Sequence, residues 1–177
     1  AGEHGWGEAT RSKDSSGGGR WDAGAVYLNG TKYRQPTPLD SRREGIQVIY
    51  QDFSLFPNLT VAENIAFTTL VDDKDRLCDR GKITRIAREG LDRIKANIDP
   101  AALVGELPVA DKQQVAIARA LLGNARLVIM DEPTTALTHR EIDNLFKIVH
   151  NLTSQNISII FVSHKLREIL EICRTIT

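Results

Sequence analysis

An apolar run that ends in two carboxylates constrains the fold of this chain more than any other feature of its sequence. The run is Leu127–Met130, and Asp131, Glu132 and Pro133 follow it directly. A short continuous apolar run predicts a strand buried on both faces, as strands are inside a parallel sheet. Ligands bind at the carboxyl ends of such strands, so Asp131 and Glu132 are candidate site residues. A buried strand that ends in an acidic surface turn is the alternative interpretation.

Length and charge limit the class of protein. The 177 residues suffice for one domain with its own core. Because 23 Lys and Arg balance 23 Asp and Glu, we expect no nucleic acid and no anionic membrane surface as partner. Cys78 and Cys173 lie far apart in the sequence, which favours free thiols in a reducing compartment. No apolar run approaches the roughly 18 residues that span a bilayer. We therefore expect a soluble intracellular α/β domain.

The beginning of the chain carries the glycines of a phosphate-binding loop without its lysine and hydroxyl. In the pattern G-x-x-x-x-G-K-[ST], Gly2 and Gly7 fit, whereas Glu8 and Ala9 occupy the last two positions. Such a loop surrounds phosphate oxygens with backbone N–H groups and a lysine, while its hydroxyl binds magnesium. Thr10 offers a hydroxyl one position late. The negative charge of Glu8 predicts weak phosphate binding.

The segment after this loop lacks the apolar stripe of a helix. Residues 11–20 contain no apolar side chain and include three successive glycines. A helix that is polar all round has no face to pack, and glycine opposes helix formation. We therefore expect residues 1–23 to form a degenerate and flexible phosphate-loop segment.

From residue 24 onward, strand and helix patterns alternate. The expected strands are residues 25–28, 46–50, 127–130 and 157–162, the last one also buried. The expected helices follow the capping boxes Thr60–Glu63 and Thr138–Glu141 or lie at about residues 82–97, 115–122 and 165–172. We expect Gly90 to weaken its helix. The alternation predicts a mostly parallel sheet with right-handed crossovers, flanked by helices.

Two more polar residues follow predicted strands. Gln51 comes after the strand at 46–50, and His164 comes after the strand at 157–162. Either residue alone is more simply explained as a surface side chain. Their expected position at the same sheet edge as Asp131 and Glu132 favours a common site.

These motifs, in this order, resemble the nucleotide-binding domain of ABC transporters, and especially the ATP-binding subunits of bacterial monosaccharide importers of the ribose and galactose type. The matching segments are the Q-loop in Val48–Ile65, the signature loop in Leu107–Gln113, Walker B in Leu127–Pro133, the D-loop in Thr135–Thr138 and the switch-histidine loop in Val162–His164. The resemblance covers nearly all of the chain from about residue 24. It implies a P-loop NTPase-like sheet flanked by helices, with an ABC-type helical subdomain at 61–110 and a partial RecA-like core at 24–60 and 111–177.

The resemblance also implies roles for single residues. Glu132 would be the general base that orients the attacking water, and His164 would contact the γ-phosphate of ATP. Asp131 and Gln51 would hold Mg2+. The remaining residues expected to bind nucleotide are Gly2, Gly5, Gly7, Thr10, Gln51, Asp111 and Gln113. The signature loop would act in trans, on ATP held by a second nucleotide-binding domain in a head-to-tail dimer.

Partners and location follow from the same resemblance. It implies transmembrane permease subunits, an indirect link to a periplasmic sugar-binding protein, and a cytoplasmic location on the inner face of the bacterial membrane. It further implies that the family's strands before the loop, its final strands and a second ATPase domain lie outside this sequence. Because of Glu8 and Ala9 we expect poor ATP hydrolysis. The alternatives are a nucleotide-incompetent module that docks on a membrane subunit, and an ABC ATPase of DNA repair or translation, which the balanced charge disfavours.

Overall fold

The computed structural model describes residues 26–28, 31–33, 37–72 and 79–173. In chain order the elements are β1 (Val26–Leu28), β2 (Thr31–Tyr33), α1 (Pro38–Arg43), β3 (Ile46–Ile49), α2 (Val61–Asp72), α3 (Arg80–Arg93), a 3-10 turn (Val104–Glu106), α4 (Val109–Leu122), β4 (Leu127–Asp131), α5 (His139–Ser154), β5 (Ser158–Val162) and α6 (Leu166–Ile172). The predicted segment 1–23 lies outside the described residues.

A parallel sheet in the order β3–β4–β5 forms the centre of the fold. Ile49 pairs with Met130, and Asp131 pairs with Val162, so the three strands end together. The middle strand is buried as predicted, because Val128, Ile129 and Met130 are at most 1% exposed. The strands β1 and β2 pair antiparallel in a separate sheet. The predicted α/β fold with a parallel sheet and flanking helices is confirmed.

The prediction that residues 157–162 form a second fully buried strand is wrong. In β5, Ser158 is exposed and Ile160 is 45% exposed, whereas Phe161 is half-buried. The reason is the strand's position, since among the described strands β5 pairs with β4 alone and forms an edge. Phe161 packs edge-to-face against Phe146 of α5, with ring centroids 6.1 Å apart. One side of β5 is therefore covered by α5.

Both predicted capping boxes are present at helix starts. The Thr60 N–H donates to Glu63 Oε2 at 2.8 Å, and the Glu63 N–H donates to Thr60 Oγ1 at 3.2 Å. At α5, the Thr138 N–H donates to Glu141 Oε2 at 2.7 Å. These bonds satisfy N–H groups that a helix terminus leaves without an intrahelical partner. They explain why α2 and α5 begin where the sequence predicts.

Two helix boundaries differ from the prediction. The helix expected at 82–97 ends at Arg93, because Lys95 adopts a left-handed conformation with φ +57°. The Ala96 N–H then donates to the carbonyl of Leu91 at 3.0 Å, which is the bond of a Schellman cap. The helix expected at 115–122 already begins at Val109, directly after Pro108. Proline precedes a helix without penalty, because the N–H it lacks would be unpaired there.

Gly90 has a packing role that outweighs its weak helix propensity. It is buried in α3, and a Cβ built on it would lie 3.2 Å from the carbonyl oxygen of Ala118 in α4. The same Cβ would lie 3.3 Å from Ile65 Cγ2 in α2. A glycine at this position lets the three helices approach closely. The expectation that Gly90 only weakens α3 therefore missed its contribution to packing.

Candidate functional site

The ends of the parallel strands bring the predicted site residues to one edge of the sheet. Gln51 follows the end of β3 by two residues, and His164 follows the end of β5 by two residues. Glu132 comes directly after β4, and its N–H still donates to the carbonyl of Val162 at 2.9 Å. Three segments that are distant in sequence therefore end side by side. This is the arrangement that binds ligands in open α/β sheets.

Glu132 and His164 are in direct contact. The Nδ1 atom of His164 lies 2.8 Å from Glu132 Oε1, and the backbone N–H of His164 donates to the same oxygen at 3.1 Å. An ionised carboxylate only accepts hydrogen bonds, so we assign the imidazole hydrogen to Nδ1. That assignment leaves Nε2 as the ring nitrogen available to a ligand. The side chain of His164 is 71% exposed, which makes it accessible to one.

The backbone of Glu132 is in the left-handed region, with φ +50°. This conformation costs a non-glycine residue on the order of 1 to 2 kcal/mol, and such residues cluster at functional sites. Thr135 helps to hold it, since its hydroxyl lies 3.3 Å from both the Glu132 carbonyl oxygen and Oε2. The carboxylate of Glu132 is thus oriented on one side by His164 and on the other by Thr135.

Asp131 and Gln51 supply oxygen atoms of the kind that magnesium prefers. Asp131 is half-buried at the end of β4, whereas Gln51 is exposed in the turn after β3. Magnesium in nucleotide sites is held by one or two protein oxygens together with substrate phosphates and water. Among the described residues, no group of three or more His, Cys, Asp or Glu side chains is arranged to hold a metal alone. The oxygens of Asp131 and Gln51 would suit a magnesium ion whose other ligands are phosphate and water oxygens.

The two signature-loop residues differ in accessibility. Asp111 is half-buried in the first turn of α4, where a carboxylate interacts favourably with the helix dipole. Gln113 is 2% exposed, and its Nε2 donates to the carbonyl of Pro133 at 3.0 Å. Its side chain ties α4 to the turn after Glu132, which is a supporting position inside the protein. The predicted loop residues Gly2, Gly5, Gly7 and Thr10 lie outside the described residues.

Sequence reasoning missed a second link between the two segments that carry Glu132 and His164. The hydroxyl of buried Thr134 donates to Glu168 Oε2 in α6. Lys165 Nζ donates to the carbonyl of Thr134 at 3.0 Å and lies 3.3 Å from Glu168 Oε1. The i, i+3 spacing of Lys165 and Glu168 predicts a contact within a helix. Nothing in the sequence indicates that Thr134 lies against both.

The turn that carries Gln51 is also held by side chains that were not predicted. Arg119 of α4 donates to the carbonyls of Phe53 and Ser54 at 2.9 and 2.8 Å. Asn64 of α2, which is 0% exposed, accepts from the Phe56 N–H at 2.8 Å and donates back to the Phe56 carbonyl at 2.9 Å. For the contacts of Asn64, the sequence signal is an asparagine on a helix face that is otherwise apolar. The contacts of Arg119 have no such signal.

Comparisons with known proteins give matches over most of the chain. The ABC transporter family matches residues 1–135. Ribose import ATP-binding protein RbsA 1 of Rubrobacter xylanophilus is 43% identical over 176 residues, covering 99% of this chain and 35% of the relative. Ribose import ATP-binding protein RbsA of Rhodococcus jostii is 38% identical over 176 residues, with the same coverage of 99% and 35%. The chain thus spans about a third of the length of the curated relatives it matches.

Solved structures give the same fold. The ATP-binding cassette MJ0796, in a dimeric post-hydrolysis state bound to ADP and Pi, superposes with a TM-score of 0.76 at 23% identity. The alignment covers 92% of this chain and 72% of that one. Among the described residues there is no helix with the length and apolar character needed to cross a membrane. The sequence match and the shared fold lead to one conclusion: the chain belongs to the ABC transporter family.

Proposed function

We propose that this chain is the nucleotide-binding domain of a carbohydrate ABC importer, in which ATP hydrolysis drives sugar uptake. The observation that carries the proposal is the contact between Glu132 and His164, 2.8 Å apart at the carboxyl edge of the sheet. A carboxylate and an imidazole at a strand edge suit phosphoryl transfer, which depends mainly on positioning and charge compensation. Relatives named as ribose import ATP-binding proteins support the sugar-import assignment.

Each residue has a separate task in the proposed reaction. Glu132 accepts a proton from the attacking water and orients it, and Thr135 keeps its carboxylate in place. His164 would contact the terminal phosphate by donating from Nε2, in the ring form that carries a hydrogen on both nitrogens, while Nδ1 remains bonded to Glu132. Asp131 and Gln51 would hold Mg2+, which when bound would compensate the negative charge of the phosphates.

The proposal includes the partners of the complete protein. ATP hydrolysis would be coupled to transmembrane permease subunits, and a periplasmic sugar-binding protein would deliver the sugar to them. A second nucleotide-binding domain would pair head-to-tail, so that its ATP meets the Asp111 end of α4. The chain would then lie at the cytoplasmic face of the membrane. The proposal also includes the division of the chain into a core at 24–60 and 111–177 and a helical subdomain at 61–110.

We also propose that Glu8 and Ala9 impair this particular chain. Glu8 replaces a lysine that would pair with phosphate, so a carboxylate would face an anion of the same sign. Ala9 removes the hydroxyl that would bind Mg2+. We expect weak MgATP binding and slow hydrolysis.

A MgATP titration of the chain beside a Glu8→Lys, Ala9→Ser double variant tests both parts. We expect tighter binding and faster phosphate release in the double variant, and loss of phosphate release when Glu132→Gln is added. Hydrolysis by the unaltered chain that Glu132→Gln abolishes would refute the impairment. If the double variant gains neither binding nor phosphate release, the proposed nucleotide function of this chain is refuted.

One observation favours a second candidate, a nucleotide-incompetent module that docks on a membrane subunit through Gln51–Asn64. Phe56 and Phe67 are 43% and 39% exposed, and their rings contact each other with centroids 4.8 Å apart. Exposed aromatic pairs are common in protein interfaces. Binding of a permease by the unaltered chain, without any effect of MgATP or of Glu132→Gln, would favour this module over the ATPase.

A further inference from the structure

The turn that carries Gln51 has an unfavourable backbone conformation. Phe53 and Ser54 both lie in the left-handed region, with φ +59° and +46°, and neither is a glycine. Two consecutive residues of this kind are disfavoured unless their surroundings hold them. The positions follow Gln51 by two and three residues, so this conformation sets the direction of the chain directly after Gln51.

Hydrogen bonds inside the turn do not fix it to the rest of the protein. The Phe53 N–H donates to the carbonyl of Tyr50 at 2.9 Å, and the Ser54 N–H donates to Asp52 Oδ1 at 3.2 Å. All four partners belong to the turn itself. These bonds stabilise its local shape but leave its orientation relative to the helices undetermined.

Arg119 connects the turn to α4. Its Nη1 donates to the Ser54 carbonyl at 2.8 Å, and its Nη2 donates to the Phe53 carbonyl at 2.9 Å. A planar guanidinium presents two parallel donors, so it matches two adjacent carbonyls in a way that a lysine cannot. Burial lowers the pKa of Arg119, because partial removal from water disfavours the charged form.

We propose that Arg119 is a positioning residue that holds the Gln51 turn in its left-handed conformation and fixes it to α4. Because Asp111 lies in the first turn of the same helix, Gln51 and the signature loop then keep one relative orientation. The inference rests on the proposed function only for its consequence, which is the placement of Gln51 toward Mg2+ and nucleotide. The clamp, by which we mean the two hydrogen bonds from Arg119 to the carbonyls of Phe53 and Ser54, is present in the chain without ligand.

Amide hydrogen exchange, followed by NMR on the full chain without nucleotide, tests the clamp. We expect Arg119→Met to speed exchange of the Phe53 and Ser54 amides by about tenfold, because bonds from a charged donor are lost. The Phe56 amide should not change, since Asn64 holds it independently. Arg93→Met is the matched control, because Arg93 also donates to a carbonyl, that of Leu121 at 2.8 Å, away from this turn.

Three results would overturn the proposal: unchanged exchange at Phe53 and Ser54, the same acceleration in Arg93→Met, or a uniform rise at all amides. If Arg119→Met does not fold, Arg119→Lys replaces it, because lysine keeps the charge but cannot span both carbonyls. In the Glu8→Lys, Ala9→Ser background, Arg119→Met and Gln51→Ala should weaken MgATP binding less than additively. Absent MgATP binding would count against the proposed function alone, because exchange is measured without nucleotide.

Discussion

Replacement of Asn64 by alanine should destabilise the protein far more than the loss of one polar side chain on a helix normally does. Asn64 is 0% exposed and accepts from the Phe56 N–H at 2.8 Å. Its Nδ2 donates to the carbonyls of Phe56, Leu59 and Thr60 at 2.9, 3.3 and 3.0 Å. Nδ2 carries only two hydrogens, so the longest of its three contacts shares one of them. With a net contribution of about 1 kcal/mol for each of three full hydrogen bonds, their loss should lower the free energy of unfolding by about 3 kcal/mol.

Urea denaturation monitored by circular dichroism measures the effect. With a slope of about 2 kcal/mol per molar urea, the midpoint should fall by roughly 1.5 M. Asn151→Ala is the matched control, because among the described residues Asn151 makes a single side-chain bond, to the carbonyl of Arg93 at 3.0 Å. We expect it to cost about 1 kcal/mol. Equal midpoints for Asn64→Ala and Asn151→Ala would refute the reasoning that Asn64 organises the segment between the Gln51 turn and α2.

Three smaller changes test other parts of the fold by the same urea assay. Gly90→Ala should destabilise by about 1 kcal/mol despite its better helix propensity, because the new Cβ would lie 3.2 Å from a backbone carbonyl of α4. Thr134→Val should cost about 1 to 2 kcal/mol because Glu168 Oε2 loses its hydrogen bond, whereas Thr134→Ser should not. Hydrogen bonds from the Thr60 N–H and hydroxyl lower the pKa of Glu63. The stability that these bonds add is fully present above the ordinary glutamate pKa of about 4.3 and is lost as the pH falls through the lowered pKa. Lowering the pH should therefore reduce the free energy of unfolding of Glu63→Gln less than that of the wild type.

Local patterns in the sequence predict most elements of this fold. The apolar run before Asp131 predicts a buried strand, and the pair Thr60 and Glu63 predicts a helix start, because each depends on neighbours within a few residues. The predicted alignment of strand ends then places Glu132 and His164 at one edge. Burial of β5 could not be predicted in this way, since an edge strand and a central strand can share one apolar sequence.

The contacts that hold the site in place were beyond prediction for a different reason. Arg119 is separated by more than 60 residues in sequence from the carbonyls it binds, and Thr134 is 34 residues from Glu168. Bonds between residues so far apart in sequence depend on how helices pack against the sheet, and no sequence periodicity predicts them. Left-handed backbone at Phe53, Ser54 and Glu132 likewise lacks the glycine that would have indicated it.

The strained positions share a consequence for how the site works. Glu132, Phe53 and Ser54 all lie just past strand ends, and each is held by side chains from another element. Local sequence does not favour these conformations, so their stability must come from contacts with other segments, namely Arg119 of α4 for the Gln51 turn and His164 for Glu132. A substitution that shifts α4 should therefore disturb the Gln51 turn through Arg119 and the Glu132 turn through Gln113, even where it contacts neither. Helix α4 contacts both the Gln51 turn and the Glu132 turn, so the geometry of the candidate site depends on the position of that helix.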